Sequence, residues 1–387
     1  MHVGIIESFF IIFTGAAALA AVALYTRQPL IVAYIAIGCL VGPHGIALVS
    51  DDRLLAEIGE IGIIFLLFLV GLDLPPAKLK DMIGESVLTA LASTVVFFSL
   101  GFGVMLAFDF TLVEALIAGT ACVFSSTILG IKLLPTTVLH HRHIGEIVIS
   151  LLLIQDLVAI IALLVLAGFD AQGGVLSTTL TVLVALPVVA VVAYLGVRFF
   201  VVPLLARFDV FQEFTFLLAV GWCLGVASLS QALSLSWEIG AFVAGVSLAN
   251  SPIAQYITEN LRPLRDFFLV LFFFAVGAAI NPSMLLDVWL PTLVLALVLV
   301  VVKPPVFRAL LRWQKESDQV SREVGYRLGQ ASEFSLLLVF VAGTALLSAE
   351  AAHVVQGATV VTLLLSSYLV VFRYPSPIAV SEALRRD

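Results

Sequence analysis

Charge is what this chain has least of. Only 12% of its 387 residues are Asp, Glu, Lys or Arg, against about 25% in a soluble domain, while 61% are hydrophobic and the mean hydropathy is +1.17. Long polar stretches are missing as well, which excludes a soluble domain and, with no catalytic motif in view, an enzyme with a cofactor. Cysteine is sparse. Cys39, Cys122 and Cys223 stand alone inside apolar segments, so neither a disulfide nor a metal framework is expected. The N-terminus lacks the basic region of a signal peptide, and the first apolar segment reads as a retained helix. A net charge of −7 gives no reason to expect a nucleic-acid partner.

What is present is a series of apolar runs of membrane-spanning length. Thirteen are expected, near 5–25, 29–49, 57–74, 84–108, 112–134, 144–168, 174–203, 211–230, 236–250, 264–280, 288–312, 321–346 and 353–373. Short turns such as Pro43-His44-Gly45, Pro75-Pro76 and Asn281-Pro282 divide them. The fold class is an all-α polytopic membrane protein, a single membrane domain over 1–387.

Basic residues test that count. Arg27, Lys78, Lys80, Lys132, Arg142, Arg198, Arg207 and the later Arg and Lys residues through Arg386 fall in odd-numbered loops or the C-terminal tail; Arg53 and Lys303 are the exceptions. The positive-inside rule then puts the odd loops and the C-terminus in the cytoplasm and the N-terminus outside, with the lipid bilayer as the first partner.

The chain also repeats itself. Phe68-Leu69-Val70-Gly71 through Pro76 and Leu79 match Phe274-Ala275-Val276-Gly277 through Pro282 and Leu285 at an offset of 206, which also carries Ser126 onto Ser332. Gly42 and Gly245 match at 203. Third segment to tenth is an odd step of seven, so the second copy is inverted: two six-helix repeats joined by a linker helix, the pattern of alternating-access transporters with a midplane site.

Polar residues inside the apolar runs mark that site. Asp156, beside Gln155, lies in the middle of the sixth segment, where a carboxylate costs at least about 2.5–3.5 kcal/mol. Ser125, Ser126 and Thr127 interrupt the fifth segment; Gln330, Ser332 and Glu333 occupy the repeat-related part of the twelfth. Such groups either complete the backbone of broken helices or bond back to their own helix and its neighbours. At the repeat offset Asp156 faces Thr362 and Lys303 faces Phe97, so the scaffold is doubled while the charges are single. Asp156 is neutral overall when protonated or when ionised with a bound cation, and competition between proton and cation is the chemistry of an antiporter. Gln155 adds an amide oxygen. Lys303 either neutralises a half-helix end, pairs with Asp156 or Glu333, or snorkels to the cytoplasm. His140, His141 and His143 with Arg142 form a cytoplasmic cluster that reads first as a solvated loop, with pH sensing and then a metal site as the alternatives.

Phe68-Leu69-Val70-Gly71-Leu72-Asp73-Leu74, Ser125-Ser126-Thr127, Gln155-Asp156, Gly240-Ala241-Phe242-Val243-Ala244-Gly245, Phe273-Phe274-Ala275-Val276-Gly277 and Gly329-Gln330-Ala331-Ser332-Glu333-Phe334 together resemble the cation:proton antiporter-2 family, specifically the membrane domain of Kef-type potassium:proton antiporters. The resemblance implies a sodium:proton-antiporter-like fold of about thirteen transmembrane helices, with helices 5 and 12 broken and crossed. It implies core helices, 57–168 and 264–373, moving against scaffold and dimerisation helices, 1–50 and 174–250, in a homodimer of the bacterial inner membrane. It marks Asp156 as the cation- and proton-binding carboxylate, with Gln155, Ser125, Ser126 and Thr127 around it and Lys303, Glu333, Gln330 and Ser332 at the crossing. Gln155 stands where sodium-selective, charge-moving relatives carry a second aspartate, which implies electroneutral potassium:proton exchange. Sodium:proton exchange and a gated cation channel are the alternatives. Kef-type systems usually continue into a cytosolic regulatory domain gated by glutathione adducts, whereas this chain stops at Asp387: either it is cut short of that domain or the protein is a shorter member regulated otherwise, with a separate cytosolic regulatory domain or subunit as a further candidate partner.

Overall fold

The computed structural model describes residues 4–49, 51–72, 85–134, 143–169, 175–208, 212–233, 235–249, 251 and 254–376. Asp73, Pro75, Pro76, His140, His141 and Arg142 lie outside the described residues. The described elements are helices throughout. They are α1 (Ile5–Tyr25), α2 (Leu30–Val41), α3 (Asp52–Leu72), α4 (Glu85–Ala107), α5 (Leu112–Val123), α6 (Thr127–Lys132) and α7 (His143–Phe169). After α8 (Val175–Gly196) a π-helical turn leads into α9 (Val202–Phe208), then α10 (Gln212–Ala232), α11 (Trp237–Ala249) and α12 (Ala254–Ala279). The chain closes with α13 (Pro282–Asp287), α14 (Trp289–Trp313), α15 (Asp318–Arg327), α16 (Glu333–Leu346) and α17 (Ala349–Arg373). Among the described residues eight helices are long and apolar enough to cross a membrane, and α2, α5, α11 and α16 are shorter apolar helices.

The internal repeat is visible in the helix boundaries. Leu112 and Asp318, and Thr127 and Glu333, each open a helix, and each pair is 206 positions apart. One sequence match needs correction. Gly42 ends α2, whereas Gly245 lies within α11, so the 203 offset does not join equivalent positions. Leu30 and Trp237 open these two helices 207 positions apart, which pairs Gly38 with Gly245.

The chain packs as two compact units. One comprises 51–82 and 164–275. Here α3 and α11 cross at backbone distance: a Cβ on Gly245 would stand 2.0 Å from the Phe68 carbonyl oxygen, and one on Gly71 2.5 Å from that of Phe242. Small residues let membrane helices gain dispersion contact where lipid offers no hydrophobic drive. Phe65 stacks on Phe268 with ring centroids 4.3 Å apart.

The other unit comprises 1–50, 83–163 and 276–387. Its apolar centre gathers Phe97 of α4, Val148 and Leu151 of α7, Phe307 of α14 and Val324 of α15, with Leu328 just beyond. Gly325 lies against the Pro304 carbonyl, seating α15 on α14. Compactness groups 1–50 with the helices around Asp156, and 51–82 with 164–275, which differs from the scaffold and core ranges inferred from the sequence. Packing reports which helices touch, not which move together.

Candidate functional site

The site lies within the second of these units, where two helices stop in mid-course. Thr111 caps α5, accepting from the Glu114 N–H, and the helix runs to Val123. Phe124 then turns extended, with φ −81° and ψ 149°. Side chains take up the backbone groups this frees, as they must away from water. The Ser125 N–H donates to Gln155 Oε1 at 3.1 Å, and Ser126 Oγ accepts from the Leu129 N–H at 3.1 Å. Between α15 and α16 the second break is completed differently. The Ala331 N–H donates to Thr362 Oγ1 at 3.0 Å, and Ser332 Oγ accepts from the Phe334 N–H at 3.2 Å. Gln330 is fixed at both ends of its amide, donating to the Arg327 carbonyl at 3.0 Å and accepting from Ser366 Oγ at 2.9 Å.

Each break is also tied to the other. Ser125 Oγ donates to the Leu328 carbonyl at 2.8 Å, and Ser335 Oγ donates to the Ala121 carbonyl at 2.6 Å. The two broken helices therefore cross, as the resemblance implied.

Lys303 occupies the centre. Its ammonium, fully buried, donates to the Phe124 carbonyl at 2.7 Å and the Gln330 carbonyl at 3.0 Å. These carbonyls are 206 residues apart and follow the C-terminal ends of α5 and α15, where the helix dipole leaves partial negative charge. Nζ also lies 4.9 Å from the ring of Phe97, the residue at the repeat position of Lys303 itself. Of the roles left open for this lysine, the geometry selects the half-helix ends. It does not snorkel.

Asp156 is 7% exposed, and the Thr127 hydroxyl lies 3.1 Å from each of its carboxylate oxygens. Glu333, half-buried at the start of α16, is within Coulombic reach of it. A carboxylate so desolvated needs a proton or a cation beside it. The Gln155 oxygen, expected as a cation ligand, accepts from the Ser125 N–H and so holds the break in shape, with a second lone pair left over; its Nε2 is buried without a hydrogen-bond partner among the described residues. Ser126 and Ser332 likewise cap helix starts. The residues singled out in the sequence thus come together in one unit, with Thr127 alone of the three hydroxyls on the acid.

Sequence reasoning missed Thr362 and Ser335 as parts of the crossing, and Ser366 behind Gln330. Thr362 carried a signal, being the repeat counterpart of Asp156. Arg327 was read only as a loop cation. It is buried, bonded to Glu323 at 2.7 Å, and donates to the carbonyls of Leu133 and Pro375, bracing the end of the short α6 against the chain beyond α17.

Comparison with known proteins places this geometry. The transmembrane sodium/hydrogen exchanger family matches residues 9–372. K(+) efflux antiporter 5 of Arabidopsis thaliana is 29% identical over 87% of this chain and 59% of its own length, and K(+) efflux antiporter 4 of the same plant 28% over 81% and 54%. The chain thus spans little more than half the length of these relatives. The iron transporter MagA of Paramagnetospirillum magneticum is 28% identical over 88% of this chain and 79% of its own. In structure, the chain is similar to the sodium proton antiporter MjNhaP1 of Methanocaldococcus jannaschii, with a TM-score of 0.70, 16% identity and 94% and 95% of the two chains covered. The sodium:proton-antiporter-like fold and the resemblance to Kef-type membrane domains are both borne out. This multi-pass membrane protein belongs to the transmembrane sodium/hydrogen exchanger family.

Proposed function

We propose that this protein exchanges a monovalent cation, potassium in the first place, for protons by alternating access, with Asp156 as the group for which the two compete. One observation carries the reading. Asp156 is buried with a neutral hydroxyl on its oxygens, while the hydrogen bonds of Lys303 go to two backbone carbonyls. The lysine is spent on the scaffold, so the carboxylate requires either a proton or a transported cation. Exchange of one for the other leaves the buried charge balanced in both states, which favours electroneutral one-for-one transport. The names of the plant relatives support potassium as cargo; the name MagA, which speaks of iron, makes selectivity a matter for measurement.

The same reading includes thirteen spans with the N-terminus outside and the C-terminus in the cytoplasm of a bacterial inner membrane. A homodimer forms through scaffold helices 1–50 and 174–250, against which core helices 57–168 and 264–373 move. A cytosolic regulatory domain or subunit is a further partner of this scheme.

Proteoliposomes with an internal pH dye test it. Potassium should dissipate an imposed proton gradient, sodium, rubidium and lithium should rank its selectivity, and Asp156→Asn should bring the signal to that of empty liposomes. Potassium flux that proceeds without a counter-moving proton, or that survives Asp156→Asn, would make the protein a gated channel instead.

A further inference from the structure

Next to Lys303 in the chain, Pro304 forms part of a cleft of about 920 Å3 lined also by Arg308, Asp318, Arg322, Tyr326, Arg373 and Tyr374. Its volume falls in the range of small-molecule sites, roughly 300–1,000 Å3. Three guanidinium groups line it against one carboxylate. Arg308 Nε and Arg322 Nη2 both donate to Asp318, each at 2.8 Å and to different oxygens. Arg373 meets no carboxylate among the described residues of the cleft: it donates to the Tyr326 hydroxyl at 2.8 Å and lies 5.1 Å from that ring. The rings of Tyr326 and Tyr374 are 5.8 Å apart and form an aromatic wall.

Among the described residues of the lining the guanidinium donors dominate, and two positive charges are in excess. The acceptor that satisfies Arg308 and Arg322 is largely open to solvent, where an ion pair contributes little. A doubly charged oxyanion can displace it, since guanidinium groups bind phosphate through two parallel hydrogen bonds. The Tyr326 hydroxyl accepts from Arg373 and so keeps its own proton to donate. The tyrosine faces suit an organic group attached to the anion.

We propose that this cleft is a binding site for a phosphate-bearing organic anion, held by Arg308, Arg322 and Arg373 with Asp318 as the internal competitor it replaces. Such a group reaches the cleft either as a soluble phosphate ester or as the headgroup of an anionic lipid. A bound anion would press on α14 and α15 where they meet the crossing, because Pro304 lines the cleft and its carbonyl packs against Gly325.

Binding is read without transport, so its outcome is separate from that of the exchange assay. The purified full chain is titrated with inorganic phosphate and with phenyl phosphate by calorimetry, and in a second arm is reconstituted in nanodiscs of phosphatidylcholine with and without phosphatidylglycerol, with thermal stability as the readout. Phenyl phosphate should bind saturably and more tightly than inorganic phosphate. Replacing both Arg322 and Arg373 by Gln should weaken it at least about tenfold, roughly the loss of one charge-assisted hydrogen bond. Asp318→Asn should tighten it several-fold, a gain that misfolding cannot mimic. Stabilisation by phosphatidylglycerol alone, with the same dependence on these residues, assigns the site to a lipid headgroup. If neither arm responds to the arginine substitutions, or Asp318→Asn leaves affinity unchanged in both, the proposal is overturned.

Discussion

The two breaks in the crossed helices have the same frame and different chemistry. Thr127 opens α6 and Glu333 opens α16 at equivalent positions; Asp156 on α7 and Thr362 on α17 are equivalent as well. Hydroxyl and carboxylate have exchanged places. In the first break the threonine reaches the acid, while in the second Thr362 accepts from the Ala331 N–H. Symmetry thus supplies two places where a chain can be unwound and held, and single substitutions decide which of them handles an ion. On the function proposed above, exchange belongs to the first break and mechanical support to the second.

Removing Asp156 against removing Thr362 tests that assignment most strongly. Asp156→Asn should abolish cation-driven proton movement, whereas Thr362→Val should leave exchange in place and lower stability by about 1–3 kcal/mol, the cost of an unmatched buried N–H. Loss of exchange in Thr362→Val with unchanged melting would make the second break part of the ion path. Lys303→Ala comes next. It orphans the Phe124 and Gln330 carbonyls together, and a fall of roughly 2–4 kcal/mol in stability is expected from two charge-assisted bonds offset by relief of a buried charge. Equilibrium unfolding in detergent measures it, and a variant as stable as the wild type would mean the breaks hold themselves.

Smaller effects attend Ser125→Ala and Ser335→Ala, each about 1 kcal/mol for one neutral hydrogen bond. The double variant should show coupling beyond about 0.5 kcal/mol, since both bonds close the same crossing. Additive losses would describe two independent clips.

The smallest effect lies outside the crossing. The hydrogen bond from Arg308 first, and behind it the bond from Arg322 and the charges of both guanidinium groups, hold the Asp318 carboxyl below the usual carboxylate range, outweighing the opposing effect of desolvation. A carboxyl depressed by folding contributes its full stabilisation above the unfolded value, about 3.9, and loses it as pH falls through the lower folded value. Melting curves taken from pH 5 down to pH 2 should therefore fall slightly less steeply for Asp318→Asn than for the wild type.

Much of this was legible in the sequence. Apolar length and the 206-residue offset reported the helices and their duplication because both are one-dimensional properties. Asp156, Lys303 and the hydroxyl runs stood out because polar atoms in hydrocarbon are costly enough to be rare. What could not be read was partnership. That the Gln155 oxygen accepts from the Ser125 N–H could not be seen in the sequence; Lys303 had three plausible partners and took two carbonyls, which no side-chain alphabet records. The Ser125 to Leu328 bond spans 203 residues and exists only once the helices cross.

Lys303 also bears on how such a molecule can change over generations. It sits between two equivalent carbonyls and beside its own counterpart, Phe97, so it stands next to the axis that relates the halves. A place on such an axis exists once, however faithfully the gene around it is doubled. Two lysines would contend for it, so only one of the two equivalent positions can carry the charge. Divergence between the halves is therefore imposed at this point by geometry, before any demand of transport is felt.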